Sequence, residues 1–205
     1  MSDAPLVWID CEMTGLDLEA DALIEVACIV TDAELNPLGT GVNVVIKPPA
    51  DAIAAMSEFV TTMHTTSGLI TELDGGMTMA DAQRAVMEYV KSQIGSTRAP
   101  LAGNTVGMDK AFLDRDMPEL MGLLHYRVVD VSSIKELVRR WYPRVFFNAP
   151  AKTGGHRAMG DIEDSIQELR YYRETVFAPL PGPDSDAAKA AAAEVTEHAP
   201  PPNGH

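Results

Sequence analysis

Two carboxylates stand one residue apart in Asp10-Cys11-Glu12, at the end of the first apolar run, Leu6 to Ile9. If that run is a buried strand, alternation along it places Asp10 and Glu12 on one face and Cys11 on the other. Neighbouring carboxylates at the rim of a core repel each other unless a cation lies between them. The pair therefore predicts a divalent-metal site, although an ordinary solvated strand end would also fit this motif alone.

Further acidic residues along the chain favour the metal site. Asp109 lies five residues after Asn104, which follows a short apolar strand candidate at Ala99 to Ala102. His156 precedes Asp161 by five residues, at the start of a long helical pattern. Carboxylate oxygens without sulfur suit Mg²⁺ or Mn²⁺ better than zinc. Four carboxylates from separate segments would form the cage: Asp10, Glu12, Asp109 and Asp161.

A cage of this kind can support phosphodiester hydrolysis. Two divalent ions about 3.5–4 Å apart supply an activated water, neutralise developing charge and stabilise the leaving oxygen. His156 is the candidate general base, because an imidazole can accept a proton near neutral pH. For an isolated histidine, a surface or helix-capping role would be the better interpretation, and the matched Asp161 is what favours the base.

The ordered set Asp-x-Glu, Asn-x-x-x-x-Asp and His-x-x-x-x-Asp resembles the DEDDh group of 3′-to-5′ exonucleases. Within that group the chain resembles the oligoribonucleases, from about Leu6 to about Phe177, and the Ala/Pro-rich tail favours the actinobacterial type. The similarity lies in six motifs: Trp8 to Leu16, His64 to Leu69, Gly103-Asn104, His125-Tyr126-Arg127, Asp130-Val131-Ser132 and Glu168 to Arg173.

The resemblance implies roles for the cage residues. Asp10 would bridge both ions, Glu12 and Asp161 would complete one of them, and Asp109 would support the other, partly through water. The implied reaction is 3′-to-5′ hydrolysis of very short RNA, down to dinucleotides, to nucleoside 5′-monophosphates.

The resemblance also implies a pocket that closes on a dinucleotide. Leu16, in the turn that begins at Met13, matches a wedge between bases. Phe59 occupies a position where relatives carry Trp; it keeps a face for base stacking but lacks the indole N–H. A core aromatic is the alternative for Phe59. His64 would contact the 3′ side of the substrate, and Asn104 is a further candidate contact.

The other end of the substrate would meet a phosphate cap. By the resemblance Arg127 would clamp the terminal phosphate, with hydroxyl donors from Ser132 and Thr105. Without the family context Arg127 would be interpreted as a surface ion pair. Tyr126 matches a residue that reaches the active site of the neighbouring subunit, which implies a homodimer.

Local patterns predict the elements that position these residues. Strands are expected at Leu6–Asp10, Leu23–Thr31, Gly41–Ile46, Pro100–Ala102 and Tyr126–Asp130. Helices are expected over Thr78–Ile94, Met108–Met117, from a Ser132-Ser133 cap to Trp141, and over Arg157–Phe177.

Together these elements predict an α/β fold. The first three strands would form an antiparallel meander, with Glu25 facing into or beside the site. The resemblance implies a ribonuclease H-like, mixed five-stranded sheet flanked by helices. We expect one exonuclease domain over residues 1–177 and an acidic, Ala/Pro-rich, disordered tail over residues 178–205.

Charge and composition narrow the function classes. The 205 residues suit one domain. The net charge is −14, and the tail, with four acidic residues against one lysine, contributes −3 of it. A protein that tracks long nucleic acid usually has a basic groove, so an acidic body favours a short substrate. Two cysteines in apolar segments indicate free buried thiols, and no leader or membrane span is recognisable, so we expect a cytoplasmic protein without membrane contact.

Other functions compete with this prediction. A proofreading or tRNA-trimming exonuclease would keep the cage and change the substrate, but the acidic charge and the His125-Tyr126-Arg127 cap argue against it. An inactive binding module would not need five intact catalytic residues. A structural cation site would leave His156 without a role.

Overall fold

The computed structural model describes residues 4–153 and 155–197, and a five-stranded sheet forms the centre of that part. The strand order is β3-β2-β1-β4-β5, in which β1, β2 and β3 are antiparallel while β4 runs parallel to both β1 and β5. This confirms the predicted mixed sheet and its meander. The strands are β1 Leu6–Met13, β2 Leu23–Thr31, β3 Pro37–Val45, β4 Pro100–Gly103 and β5 His125–Asp130.

Helices cover the sheet and follow its strands. Two short 3₁₀ turns, Leu69–Thr71 and Leu73–Gly75, separate the second helix from the third. The α-helices are α1 Ala50–Ala55, α2 Glu58–Thr66, α3 Met79–Ile94, α4 Gly107–Asp116, α5 Pro118–Leu123, α6 Val131–Trp141, α7 Pro143–Phe147, α8 Ala158–Val176 and α9 Ser185–Glu197.

The sheet separates two hydrophobic cores, and β1 contributes to both. Val7, Ile9 and Cys11 pack into the core that contains α3. Trp8 packs into the other core, with α6 and α8. Because successive side chains alternate between faces, Asp10 and Glu12 lie on the α8 side. The alternation inferred from the apolar run therefore directs both carboxylates toward the last long helix.

The amphipathic pattern of α3 also has the predicted outcome. Ala82, Val86, Val90 and Ile94 are its buried residues, spaced by four, as one helical stripe requires. The hydroxyl of Thr78 caps the helix by accepting the Asp81 N–H at 3.2 Å. The methionines of this region pack against the core.

Several element boundaries differ from the sequence predictions, and β3, which was predicted over Gly41–Ile46, begins four residues earlier and spans Pro37–Val45. β1 continues past Asp10 to Met13, because pairing with β2 extends the strand beyond its apolar run. The cap of α6 is Asp130, whose carboxylate accepts the Ser132 N–H at 2.9 Å. Ser132 and Ser133 are therefore inside the helix, since the carboxylate of Asp130, two residues before Ser132, already accepts a free N–H of the first turn.

The tail contains a helix where disorder was predicted. α9 spans Ser185–Glu197 and has no buried residue. Six alanines in this segment explain the helix, since alanine has the highest helix propensity. Before it, residues 177–183 lie against Leu6 and Leu35 and line a cavity of about 750 Å³. Residues 198–205 of the predicted tail lie outside the described residues, and the domain boundary at residue 177 stays a prediction.

Two observations bear on the composition-based expectations. Cys11 and Cys28 are buried and free. Among the described residues, no helix is both long and apolar enough to cross a bilayer.

Candidate active site

Three carboxylates converge where β1 meets the first turn of α8. Asp10 and Glu12 come from β1 and Asp161 from α8, and one oxygen of each lies within 4.8 Å of the other two. The strand pairing places Glu12 opposite Glu25 of β2. The structure thus brings together two motifs that are about 150 residues apart in the sequence, as the resemblance of the ordered motifs implied.

Burial and mutual repulsion raise the pKa of these groups. Desolvation, followed by repulsion from Asp109, Asp161 and Glu12, raises the pKa of Asp10 to about 9. Desolvation, with Asp161 and Glu25 as the largest repulsive neighbours, raises the pKa of Glu12 to about 8. Nearby cations oppose both shifts only in part. The site therefore concentrates negative charge that a bound cation would stabilise.

Asp161 has a milder environment. Desolvation raises its pKa, while His156 and Lys152 act in the opposite direction. The opposing cations come from the segment before α8, so this segment supplies positive charge next to the carboxylates. Of the three carboxylates, Asp161 is thus the one whose negative charge neighbouring cations offset most.

Asp109 lies beside the three-carboxylate group and is not part of it. It is buried in the first turn of α4, and its Oδ1 accepts the Cys11 N–H at 3.0 Å. Desolvation raises its pKa to about 6, against the opposing effect of backbone hydrogen bonds. Its charge is close enough to be the largest repulsive contribution at Asp10. The fourth predicted ligand is thus adjacent, with its carboxylate directed to the β1 backbone.

His156 occupies an exposed position immediately before α8. Its backbone has φ of +59°, in the left-handed region that a non-glycine residue rarely adopts. It lies close enough to Asp161 to lower the pKa of that carboxyl group. The predicted general base is therefore at the edge of the carboxylate cluster, open to solvent.

The residue after His156 makes the most extensive ion pair of the site. The Arg157 guanidinium donates to Glu25 of β2 and to Glu72, which lies between the two 3₁₀ turns. Glu25 is fully buried. The sequence predicted that Glu25 lies in or beside the site, and it lies beside it. Arg157 and Glu72 were not predicted, because no local pattern reports a contact across 132 residues.

Glu168 forms a second buried network that the sequence analysis did not assign. Its carboxylate accepts from Asn104 Nδ2 at 2.7 Å and from the Tyr172 hydroxyl at 2.9 Å. Lys135 Nζ lies 2.9 Å and Lys152 Nζ 3.7 Å from it. A recognisable signal existed, because Glu168 lies seven residues after Asp161 and hence on the same helix face. Asn104, predicted to contact substrate, is oriented by this carboxylate.

The predicted wedge and stacking residues are both exposed. Leu16 has 68% and Phe59 76% of its surface accessible. The alternative that Phe59 is a core aromatic is therefore wrong. Both side chains are free to contact a base.

His64 is fully buried, in contrast to its predicted substrate contact. Its Nε2 lies 2.9 Å from the Met13 carbonyl oxygen, and its Nδ1 has no hydrogen-bond partner among the described residues. In this arrangement His64 connects α2 to the turn that begins at Met13. A polar atom of the ring remains available only to a group that enters the interior.

Two of the predicted phosphate-binding residues, Thr105 and Ser132, bond to the same carboxylate. Asp130 Oδ1 accepts from the Thr105 N–H at 2.9 Å and from the Ser132 hydroxyl at 2.7 Å. Thr105 has φ of +62°. Arg127 is exposed, and its guanidinium carbon lies 5.6 Å from the centre of the Tyr126 ring. Asp130, Thr105 and Ser132 lie at the carboxyl ends of β4 and β5, whereas Arg127 lies near the start of β5.

An exposed apolar surface extends from β5, which is an edge strand of the described sheet. Tyr126 is 79% accessible and stacks on His125 with ring centres 4.5 Å apart. Other large exposed side chains follow on β5, α6 and α7: Val128, Leu137, Trp141, Tyr142 and Phe147. We refer to these side chains and Tyr126 as the β5–α7 surface.

Comparison with known proteins identifies the relatives of this chain. A family model described as Exonuclease matches residues 7–169. An oligoribonuclease of Streptomyces griseus is 62% identical over 197 residues, which is 96% of this chain and 98% of that protein. An oligoribonuclease of Mycobacterium avium is 54% identical over 94% of this chain and 90% of that protein.

Solved structures support the fold. The E. coli exonuclease I complex with single-stranded DNA has a TM-score of 0.68 at 14% identity, over 85% of this chain. Exonuclease I of Methylocaldum szegediense has a TM-score of 0.65 at 20% identity, over 84% of this chain. The chain spans 41% of the length of each of these exonucleases.

Proposed function

The chain belongs to the exonuclease family, among the oligoribonucleases, and from that premise we propose that it hydrolyses short oligoribonucleotides from the 3′ end and releases nucleoside 5′-monophosphates. The observation that carries the proposal is the convergence of Asp10, Glu12 and Asp161 within 4.8 Å. Family membership supplies the reaction class, and the carboxylate cluster supplies the chemistry.

The donor set fits divalent ions of the hard type. The three grouped side chains, Asp10, Glu12 and Asp161, offer carboxylate oxygens, which suit Mg²⁺ or Mn²⁺. Asp10, Glu12 and Asp161 would hold the ions, with Asp109 beside them and two ions per site as the family pattern implies. When bound, such ions neutralise charge at the phosphate and lower the pKa of a water molecule, so that it loses a proton readily and becomes a nucleophile. Their charge would also keep Asp10 and Glu12 ionised, against the upward shift of both pKa values.

His156 would accept the proton of the attacking water. Its exposure gives the imidazole access to solvent, to which the proton is released, and its neighbour Asp161 stabilises the imidazolium that forms. The other predicted substrate-binding residues would hold the RNA in one orientation at the cluster.

The exposed residues around the cluster support a preference for dinucleotides. Leu16 would insert between the two bases and Phe59 would stack on one of them, since an aromatic face accepts any base. His64 lies beneath the Met13 turn that carries the wedge, so its contribution to the 3′ side would act through that turn or after a rearrangement.

The opposite end of the substrate would meet the group around Asp130. Arg127 can pair with a terminal phosphate through two N–H groups, and the hydroxyls of Thr105 and Ser132, which follow β4 and β5, would donate to it. Ser132 would exchange its bond to Asp130 for one to phosphate. With these groups at one end and the wedge at the other, longer RNA would fit less well.

The β5–α7 surface supports a homodimer. An unpaired edge strand with exposed aromatic side chains is normally covered by a partner. We place the second copy of this chain there, with Tyr126 reaching the partner's active site. The cytoplasmic location expected from the free cysteines stays a prediction.

The activity can be tested with 5′-labelled RNAs from dinucleotides to decamers, in the presence of Mn²⁺. We expect the dinucleotide to disappear fastest and Asp10→Ala to be inactive. Equal rates at all lengths would contradict the dinucleotide preference. No hydrolysis of any length with Mg²⁺ or Mn²⁺ would contradict the proposed function.

The dimer can be tested by complementation between two inactive variants. Mixing Tyr126→Ala with Asp10→Ala protein creates mixed dimers in which one site has both an intact cluster and a partner tyrosine. We expect activity to reappear after subunit exchange. No recovery, with exchange confirmed by mass-tagged subunits, would argue against a role of Tyr126 across the interface.

A further inference from the structure

We propose that Glu25 and Arg157 are positioning residues that hold His156 at the edge of the carboxylate cluster. Neither would touch the substrate. The inference rests on the proposed function, in which His156 accepts the proton, and it adds the reason why an exposed histidine on a loop has a defined position.

The Arg157 side chain is held from two directions. Its Nε and Nη2 donate to Glu25 Oε1 at 3.1 and 2.7 Å, and its Nη1 and Nη2 donate to Glu72 Oε1 and Oε2 at 2.9 and 3.1 Å. A planar guanidinium with two carboxylate partners has little rotational freedom left. The backbone of Arg157, and with it the peptide group of His156, is thereby attached to β2 and to the turn at Glu72.

Glu25 is a carboxylate unlike its neighbours. It is fully buried opposite Glu12, yet its oxygens accept from Arg157, from Asn43 Nδ2 at 2.9 Å and from the Ala158 N–H at 3.2 Å. Within residues 4–153 and 155–197, the carboxylates of Asp10, Glu12 and Asp161 have no comparable set of donors. Because a buried charge without partners is costly, the saturated Glu25 is suited to hold Arg157 and not to bind a cation.

The loop before α8 explains why this ion pair acts on His156. Residues 150–153 and 155–156 are exposed and contribute nothing to either core. The left-handed backbone of His156 is unfavourable and persists only where neighbouring contacts enforce it. Helix α8 itself is secured by buried Ala158, Ile162 and Ile166. Loss of the Glu25–Arg157 pair would therefore displace His156 more than Asp161.

The experiment compares Arg157→Lys and Glu25→Gln with a matched control, Arg173→Lys. Arg173 lies on the same helix and pairs with Glu34, so it reports the generic cost of the same substitution. We expect Arg157→Lys to lower kcat on a short RNA by about tenfold, part of the roughly hundredfold or more that a general base contributes. KM should change by less than about twofold, and Arg173→Lys should match wild type.

A double-mutant cycle distinguishes positioning from a structural role. If the pair acts through His156, Arg157→Lys has no further effect on kcat in the His156→Ala background. An undiminished tenfold loss in that background would overturn the inference. So would wild-type kcat in Arg157→Lys, or a loss of Mn²⁺ affinity in calorimetry that accounts for the rate change.

Two measurements keep these results interpretable. Thermal unfolding establishes that each variant is folded at the assay temperature. If Glu25→Gln does not fold, Arg157→Lys still tests the inference, because it keeps a cation beside Glu25. Wild-type activity on the same RNA separates the two claims. An inactive wild type would contradict the proposed function, whereas an active wild type with an unaffected Arg157→Lys would contradict only the positioning role.

Discussion

The Asp10 carboxylate is largely removed from solvent and faces three other acidic side chains, Asp109, Asp161 and Glu12. Both features disfavour its ionised form. Its pKa of about 9 means that the apo-protein carries it protonated at neutral pH. The same holds in weaker form for Glu12. At the scale of single residues, the site is a group of carboxylates whose ionised forms a bound cation would stabilise.

Metal binding should therefore release protons. With pKa values of about 9 for Asp10 and about 8 for Glu12, both must deprotonate to bind Mn²⁺ at pH 7. We expect affinity to increase from about pH 6 to pH 9. Calorimetry in buffers of different ionisation enthalpy would count the protons, and pH-independent affinity without proton release would contradict the prediction.

The same repulsion should cost stability. A carboxyl group whose pKa is raised on folding from 3.8 to about 9 binds more protons in the folded state, so stability declines as pH rises through that range. Asp10→Asn should stabilise the metal-free protein by about 1–2 kcal/mol at pH 8, discounted for partial exposure, and by nothing at pH 4. Urea unfolding at both pH values would check this, and a stabilisation that is equal at both would contradict it.

At the scale of elements, α8 joins the site to the sheet. Its first turn carries Asp161, its middle carries Glu168, and Arg157 immediately before it pairs with Glu25 of β2. Glu168 in turn connects α8 to Asn104 at the end of β4 and to Lys135 of α6. Helix α8 thus connects β2, the end of β4 and α6 to the loop that carries His156.

Loss of the Glu168 network should destabilise the whole fold. Glu168→Ala leaves Lys135 and the amide of Asn104 without their buried partner, at a cost of about 2–4 kcal/mol. Glu168→Gln keeps the oxygen that accepts from Asn104 and should cost less. Urea unfolding would measure both, with exposed Glu163→Ala on the same helix as control. A Glu168→Ala cost no larger than that of the control would contradict the prediction.

At the scale of the whole molecule, charge and surface have different consequences. The chain has a net charge of −14, so attraction of RNA cannot come from its overall field. Residues 126–147, which contain the β5–α7 surface, carry four arginines and one lysine against Asp130 and Glu136. Positive charge is thus concentrated where a partner subunit or a terminal phosphate would lie.

Salt dependence should reflect this distribution. A substrate that is held by one or two phosphate contacts releases few counterions, so log KM for a dinucleotide should rise with log salt by a slope of no more than about 1.5. Steady-state kinetics at several KCl concentrations would test it. A slope of about 4 or more would indicate a long basic track, contrary to the acidic body.

Sequence patterns determined much of the fold and the identity of the chemical groups. Apolar alternation in β1 placed Asp10 and Glu12 on one face, and the four-residue spacing of Val86 and Val90 predicted α3. Both are local properties, set by the pleat and by the helical repeat. The family resemblance of the ordered motifs, and not spacing alone, implied that Asp161 would lie near the first carboxylate pair, and the structure brings the three together.

The tertiary structure alone decided how those groups are partnered. It directs Asp109 to the Cys11 N–H, buries His64 beneath Met13 and pairs Glu25 with Arg157. These contacts join residues 98, 51 and 132 positions apart. No local pattern encodes contacts of that separation, because they arise only when strands and helices pack. The sequence was therefore sufficient to recognise Asp10-Cys11-Glu12 as a candidate metal site, whereas the fold determined which charged groups surround it.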